Sequence, residues 1–349
     1  MQAVAIDEQG APRLVDLPVP APGTGEMRLR LRWSGLCGTD LFKLAHRTAA
    51  AGSVLGHEIV GEVSAVGAGV QGFAPGDRVV TPHHLACGEC PACRSGAETQ
   101  CSAFRDNLLA PGGFAQEILV RQRAVRHSAR RLPAALDDLE AIFLEPAACV
   151  LRSLSKGRIL SAERRNGSDV PVVAIVGGGS MGLLHLLLLR ALNDPVTVIV
   201  VDPRADRRAL ALELGADEAV APGDTASVAI RESSPDGAGA DAIFDSVGGS
   251  AVARSALAAL RPGGTLVLFA HAGAGEPAGF ELNDLFKHEK RIVGAYSGAL
   301  AEQDAVWDLL VSGAFRPARL VTHRLPLADF ARGLELARRQ EALKVVFHP

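Results

Sequence analysis

Aromatic side chains make up only 4 % of this 349-residue chain, and neither charge dominates: 36 Lys and Arg against 39 Asp and Glu leave a net −3. A surface that stacks bases and tracks phosphates needs aromatic platforms and a basic patch, so the composition argues against a nucleic-acid partner. Long apolar runs are also missing. The densest, Leu183–Leu189, carries His185 and runs into Arg190, far short of the roughly 20 residues a spanning helix needs. The opening Met1–Glu8 has neither the basic nor the apolar region of a secretory signal. These absences predict a soluble, cytoplasmic protein with no membrane partner. What is present in quantity is core-forming residue, 48 % hydrophobic, on a chain too long for one compact core. Two domains are expected.

Six cysteines fall at 37, 87, 90, 93, 101 and 149. Four crowd into the run Cys87-Gly88-Glu89-Cys90-Pro91-Ala92-Cys93 followed by Cys101. In a long chain without a secretion signal, metal ligation is a better reading than disulfides. Such spacing lets a knuckle of chain wrap four thiolates around one Zn²⁺, with Gly and Pro supplying the tight turns. Four thiolates leave no open position, so this zinc would be structural.

Short β-branched runs broken by Gly and Pro, such as Val60–Val66 and Asp77–Thr81, give the first 150 residues the look of an all-β unit. The texture then changes. Val172–Val176, Val196–Val201, Ala242–Val247 and Thr265–Phe269 read as buried strands, Ser180–Leu192 and Arg204–Leu214 as helices between them. Apolar strands alternating with helices predict a parallel sheet covered on both faces. The polar stretch Ser161–Ser168 reads as a surface loop. In the tail, Glu302–Val311 and Leu327–Arg339 read as helices and Val345–Phe347 as an apolar finish that pattern alone does not place.

The loop Gly177-Gly178-Gly179-Ser180-Met181-Gly182 is a dinucleotide fingerprint in full context: it follows a strand, opens a helix, and precedes Asp202 at the end of the next strand. Gly177 allows the tight turn, Gly179 the approach of backbone to pyrophosphate, and Gly182 close helix–strand packing. The first N–H groups of the helix, from Ser180 and Met181 on, face the phosphates. Asp202 should accept from the ribose hydroxyls and repel a 2′-phosphate, favouring NAD over NADP. Arg207 faces either the adenosine end or, with Arg208, solvent.

A third set is scattered: Cys37 in Cys37-Gly38-Thr39-Asp40, His57 and Glu58 after Gly56, and Glu145 before Pro146. A Cys, a His and carboxylates from distant segments suit an open zinc site. Taken singly, each also reads as ordinary: a core cysteine, a satisfied histidine, a charge at a helix start.

With the knuckle, the glycine loop and this third set in that order and spacing, nearly the whole chain resembles the zinc-containing medium-chain dehydrogenases, in particular the sorbitol and threonine dehydrogenase branch. The resemblance implies a GroES-like β domain, 1–150 completed by 298–349, with a Rossmann domain inserted at 151–297. It implies two zincs per chain, one structural at the knuckle and one catalytic on Cys37 and His57, with Glu58 and Glu145 as exchanging or water-bridged carboxylates. It implies Thr39 as the hydroxyl that starts a proton relay, Asp40 as the partner orienting His57, and Cys149 as packing. The implied activity is hydride transfer between NAD and a secondary alcohol of polyol, cyclitol or hydroxy-amino-acid type, by a homodimer or homotetramer. Alternatives are a primary-alcohol or aldehyde dehydrogenase of the same fold, or a non-catalytic nucleotide-binding scaffold. The chain departs from the family at Phe42-Lys43, where a relay His is common, and at Tyr296-Ser297-Gly298, where polyol dehydrogenases carry an Arg-Tyr pair.

Overall fold

The computed structural model describes residues 1–160 and 170–349; the stretch read as a polar surface loop lies outside them. The chain divides into two compact units, Met1–Pro146 with Ala299–Pro349, and Ala147–Gly298. Among the described residues no helix is long and apolar enough to cross a membrane.

The first unit is built on an antiparallel sheet around the long strand Met27–Gly35. That strand pairs with Glu58–Val66 on one side, and with the C-terminal strand Lys344–His348 and with Glu117–Val120 on the other. Along Met27–Leu31 the odd positions are buried and the even ones are arginines, the alternation of a half-solvated strand. Its inner face packs Phe114, Ile118, Phe330 and Phe347 into one core. The register Val346↔Gly35 and Phe347↔Ser34 resolves the apolar finish of the tail: it is a strand in a sheet begun three hundred residues earlier.

The second unit is a six-stranded parallel sheet in the order Glu218–Val220, Thr197–Val201, Val172–Val176, Ala240–Asp245, Leu260–Leu268, Arg291–Gly294. In chain order this is 3-2-1-4-5-6, the Rossmann arrangement. The strand expected at Thr265–Phe269 is longer and begins at Leu260. The helix Ser180–Leu192 has the bounds its pattern predicts. Leu327–Asp329 forms a 3₁₀ turn before the helix Phe330–Arg338.

Candidate metal and cofactor sites

Cys37 sits just ahead of the helix Gly38–Ala45 and caps it. Its Sγ accepts the Thr39 N–H at 3.5 Å, while Asp40 Oδ2 accepts the Cys37 N–H at 3.1 Å. This reciprocal box fixes the thiol's direction. The Cys-Gly-Thr-Asp run thus does two jobs, because Asp40 Oδ1 also lies 3.6 Å from His57 Nδ1 and accepts the Gly56 N–H at 3.4 Å. Gly56 is obligatory there: its φ is +86°, and a Cβ would lie 2.8 Å from the Phe114 nitrogen. Glu58, which opens the next strand, completes the group. One ligand atom from each of Cys37, His57 and Glu58 lies within 4.8 Å of the others.

The electrostatics of this cluster favour a cation. Burial pushes the His57 imidazole down, but the negative charges of Asp40 and Cys37 outweigh it and hold the ring well above its ordinary range. Burial likewise pushes Asp40 up, and His57 with the N–H donors of Cys37 and Gly56 brings it below its ordinary value. Glu58 is 1 % exposed; its Oε1 is buried with no hydrogen-bond partner. An orphaned carboxylate oxygen costs on the order of 1–3 kcal/mol or more. A thiol, an imidazole and an unsatisfied carboxylate oxygen converging on one point is a donor set that fits zinc. Glu145 lies outside that trio, although it is near enough for its charge to raise Lys344.

Sequence reasoning missed Lys344. The C-terminal strand carries it to within hydrogen-bond reach of Glu58 Oε2 and 3.2 Å from the Leu36 carbonyl, with its Nζ 5.8 Å above the Phe143 ring. No local signal marks it, since the pairing that brings it there spans most of the chain. His83 was missed as well. Its ring centroid lies 4.6 Å from that of His57, the planes tilted by 39°, as follows from the pairing of Thr81 with Ile59 two residues along each strand.

The four knuckle cysteines converge as their spacing predicts. Their Sγ separations are 3.5 Å for Cys90–Cys93 and Cys87–Cys101 and 3.9 Å for Cys87–Cys93. A tetrahedron with metal–sulfur bonds of about 2.3 Å has sulfurs about 3.8 Å apart, so the set fits a closed zinc site. Backbone N–H donation from Cys87 brings the Cys101 thiol down to about 6. None of the six cysteines is in a disulfide.

In the second unit Gly177 turns the chain at φ +101°, and a Cβ on Gly182 would lie 1.8 Å from the Gly177 carbonyl oxygen. Gly182 is what lets the helix sit on the strand end. A Cβ on Gly179 would meet nothing within 4 Å, and the neighbouring Ser180 Oγ is buried without a partner. Open space beside an unspent hydroxyl at a helix start is a cradle that fits a pyrophosphate. Asp202 caps the arrangement: Oδ2 accepts the Gly178 N–H at 2.7 Å and Oδ1 the Arg204 N–H at 2.8 Å. Arg207 is 8 % exposed and its Cβ lies 3.1 Å from where a Gly178 Cβ would be. The solvated-face alternative therefore fails for Arg207, whereas Arg208 folds back onto the Asp202 and Pro203 carbonyls.

The alcohol dehydrogenase GroES-like domain family matches residues 23–129, and the zinc-binding dehydrogenase family residues 180–312. The chain is 30 % identical to the sorbitol dehydrogenase of Halalkalibacterium halodurans, over 95 % of its own length and 94 % of that protein. It is 32 % identical to the D-altritol 5-dehydrogenase of Agrobacterium fabrum, over 94 % of each. A zinc-binding dehydrogenase structure from Sinorhizobium meliloti 1021, bound to NADP, superposes with a TM-score of 0.87 at 28 % identity, covering 100 % of this chain and 99 % of that one. The chain belongs to the zinc-type medium-chain alcohol dehydrogenases, enzymes that use zinc and a nicotinamide cofactor.

Proposed function

We propose that the enzyme oxidises a secondary alcohol of the polyol, cyclitol or hydroxy-amino-acid class to a ketone, with one catalytic and one structural zinc per chain and NAD as acceptor. The observation that carries the reading is the convergence of Cys37, His57 and Glu58 with a buried, unpartnered carboxylate oxygen among them. Cys37, His57 and Glu58, with Glu145 as an exchanging carboxylate, would hold the catalytic ion; Cys87, Cys90, Cys93 and Cys101 the structural one. When bound, zinc supplies a Lewis acid for the alcohol oxygen and the nicotinamide accepts the hydride.

The chain's own residues do the rest. Asp40 holds the His57 ring in orientation from behind. Thr39, two residues from Cys37, offers a hydroxyl that would start a relay, accepting the alcohol proton as it passes its own on to the next acceptor. Ser180, Met181 and the glycines Gly177, Gly179 and Gly182 seat the pyrophosphate, and Asp202 with Arg207 seats the adenosine ribose. The named substrates of the sorbitol and altritol enzymes support a polyhydroxylated substrate, and the proposal takes the enzyme to be a cytoplasmic homo-oligomer. The test couples metal analysis with a panel of secondary alcohols, polyols and L-threonine followed by NADH absorbance. Two zincs per chain and turnover of at least one member are expected. One zinc and no turnover would favour the scaffold alternative.

A further inference from the structure

Beside the candidate metal ligands lies a buried charge that the catalytic reading does not use. Lys344 is 3 % exposed and Glu58 is 1 % exposed, and their ammonium and carboxylate are paired through Oε2. The fold makes specific room for this pair. Gly35, on the strand that separates them, could not carry a side chain, because a Cβ there would lie 2.1 Å from Glu58 Oε2 and 3.0 Å from Lys344 Cε. The Leu36 carbonyl holds the ammonium from the next residue. Burial works against the charged lysine, yet Glu58, Cys37 and Glu145 keep its affinity for the proton above the ordinary value. Burying a charge pair in this way is costly unless both partners are well satisfied, and only one of Glu58's two oxygens is.

We propose that Lys344 is a positioning residue for the metal centre: it holds Glu58 back by one oxygen, so that this carboxylate is a reversible and not a permanent metal ligand. This rests on the catalytic-zinc reading above. A carboxylate with both oxygens unclaimed, this near a thiolate and an imidazole, would bind a zinc ion outright and close the tetrahedron. With Oε2 held by Lys344, only Oε1 is offered, and a coordination position stays available to substrate. The ammonium also offsets part of the negative charge that Cys37, Glu58 and Glu145 bring together, which keeps the ion a stronger Lewis acid.

The test uses the full-length enzyme with cobalt in the Cys37 site, where visible absorption reports ligand number independently of activity. Lys344→Met should change that spectrum toward a further carboxylate ligand, slow loss of the ion to a chelator at least tenfold, and lower kcat at least tenfold. Lys344→Arg should restore all three to within a few-fold of wild type. In a Glu58→Gln background, which removes the carboxylate that Lys344 pairs with, adding Lys344→Met should alter neither spectrum nor chelator rate, and this pair remains informative if the single variant folds poorly. Unchanged spectrum and chelator rate in Lys344→Met, or faster loss of the ion, would overturn the role of Lys344 alone. A wild type with no Cys37-dependent metal would overturn the metal-centre reading and this inference together.

Discussion

A single side chain decides most at Cys37 and Asp202. Cys37→Ser removes a thiolate from the open site only, and the Ser hydroxyl can still cap the helix. Catalysis should therefore disappear while cofactor binding and the melting temperature stay near wild type; retained turnover would remove Cys37 from the metal centre. At Asp202, NADP brings a phosphate against a carboxylate. Like charges a few ångströms apart near a surface repel by up to about 4 kcal/mol, and bonds from the ribose to a charged acceptor, about 1.5–3 kcal/mol, are lost. After screening, at least a tenfold preference for NAD in kcat/KM is expected, about 1.4 kcal/mol, and Asp202→Ser should narrow it. The NADP bound by the Sinorhizobium meliloti relative makes the measurement discriminating. Equal use of both cofactors by wild type would show that Asp202 does not read the ribose.

Elements differ in how far a local reading reaches. The knuckle and the glycine loop are self-contained: every ligand or turn residue lies within fifteen residues of its partners, so spacing alone announced the convergence of the four sulfurs and the helix from Ser180. The Cys37, His57, Glu58 group is assembled across two strands and a helix cap, and single residues there looked ordinary until their order matched a family. Lys344 was illegible because its strand pairs with one three hundred residues away, and nothing near it in sequence records that. The self-contained knuckle makes its own prediction. Cys93→Ser should loosen the loop first, lowering the melting temperature by more than about 5 °C, with activity at native temperature largely kept while the Cys37 site stays loaded. A variant that melts like wild type but is inactive would exchange the roles of the two sites.

For the molecule as a whole, acid tolerance should be limited by histidines that burial keeps neutral, His83 and His84 in the first unit and His185 in the second. His185 is fully buried there, its Nδ1–H donating to the Met181 carbonyl at 2.7 Å and its Nε2 accepting from Ser153 Oγ at 3.0 Å. Burial brings its pKa from 6.5 down to about 4. The folded ring stays neutral where the unfolded one takes up a proton, so stability falls as pH drops from 6.5 toward 4, by about 2 kcal/mol at pH 5. Urea midpoints at pH 7 and pH 5 should show a smaller drop for His185→Leu than for wild type; equal drops would mean the ring is protonated in the fold. The closing of the second unit on itself has a kinetic side. Gly298 and Ala148 are in contact, a Cβ on the glycine falling 2.7 Å from the Ala148 carbonyl carbon, so this unit begins and ends at one point. While it is unfolded, the loop between the strands Met27–Gly35 and Lys344–His348 is about twice as long, and closing it costs about 0.6 kcal/mol more. Once folded, it behaves as a clasp that delivers the tail to the sheet. Folding of the second unit first therefore favours closure of the sheet, and Gly182→Ala, which disturbs that unit, should delay the appearance of the cobalt spectrum during refolding by a factor of about three.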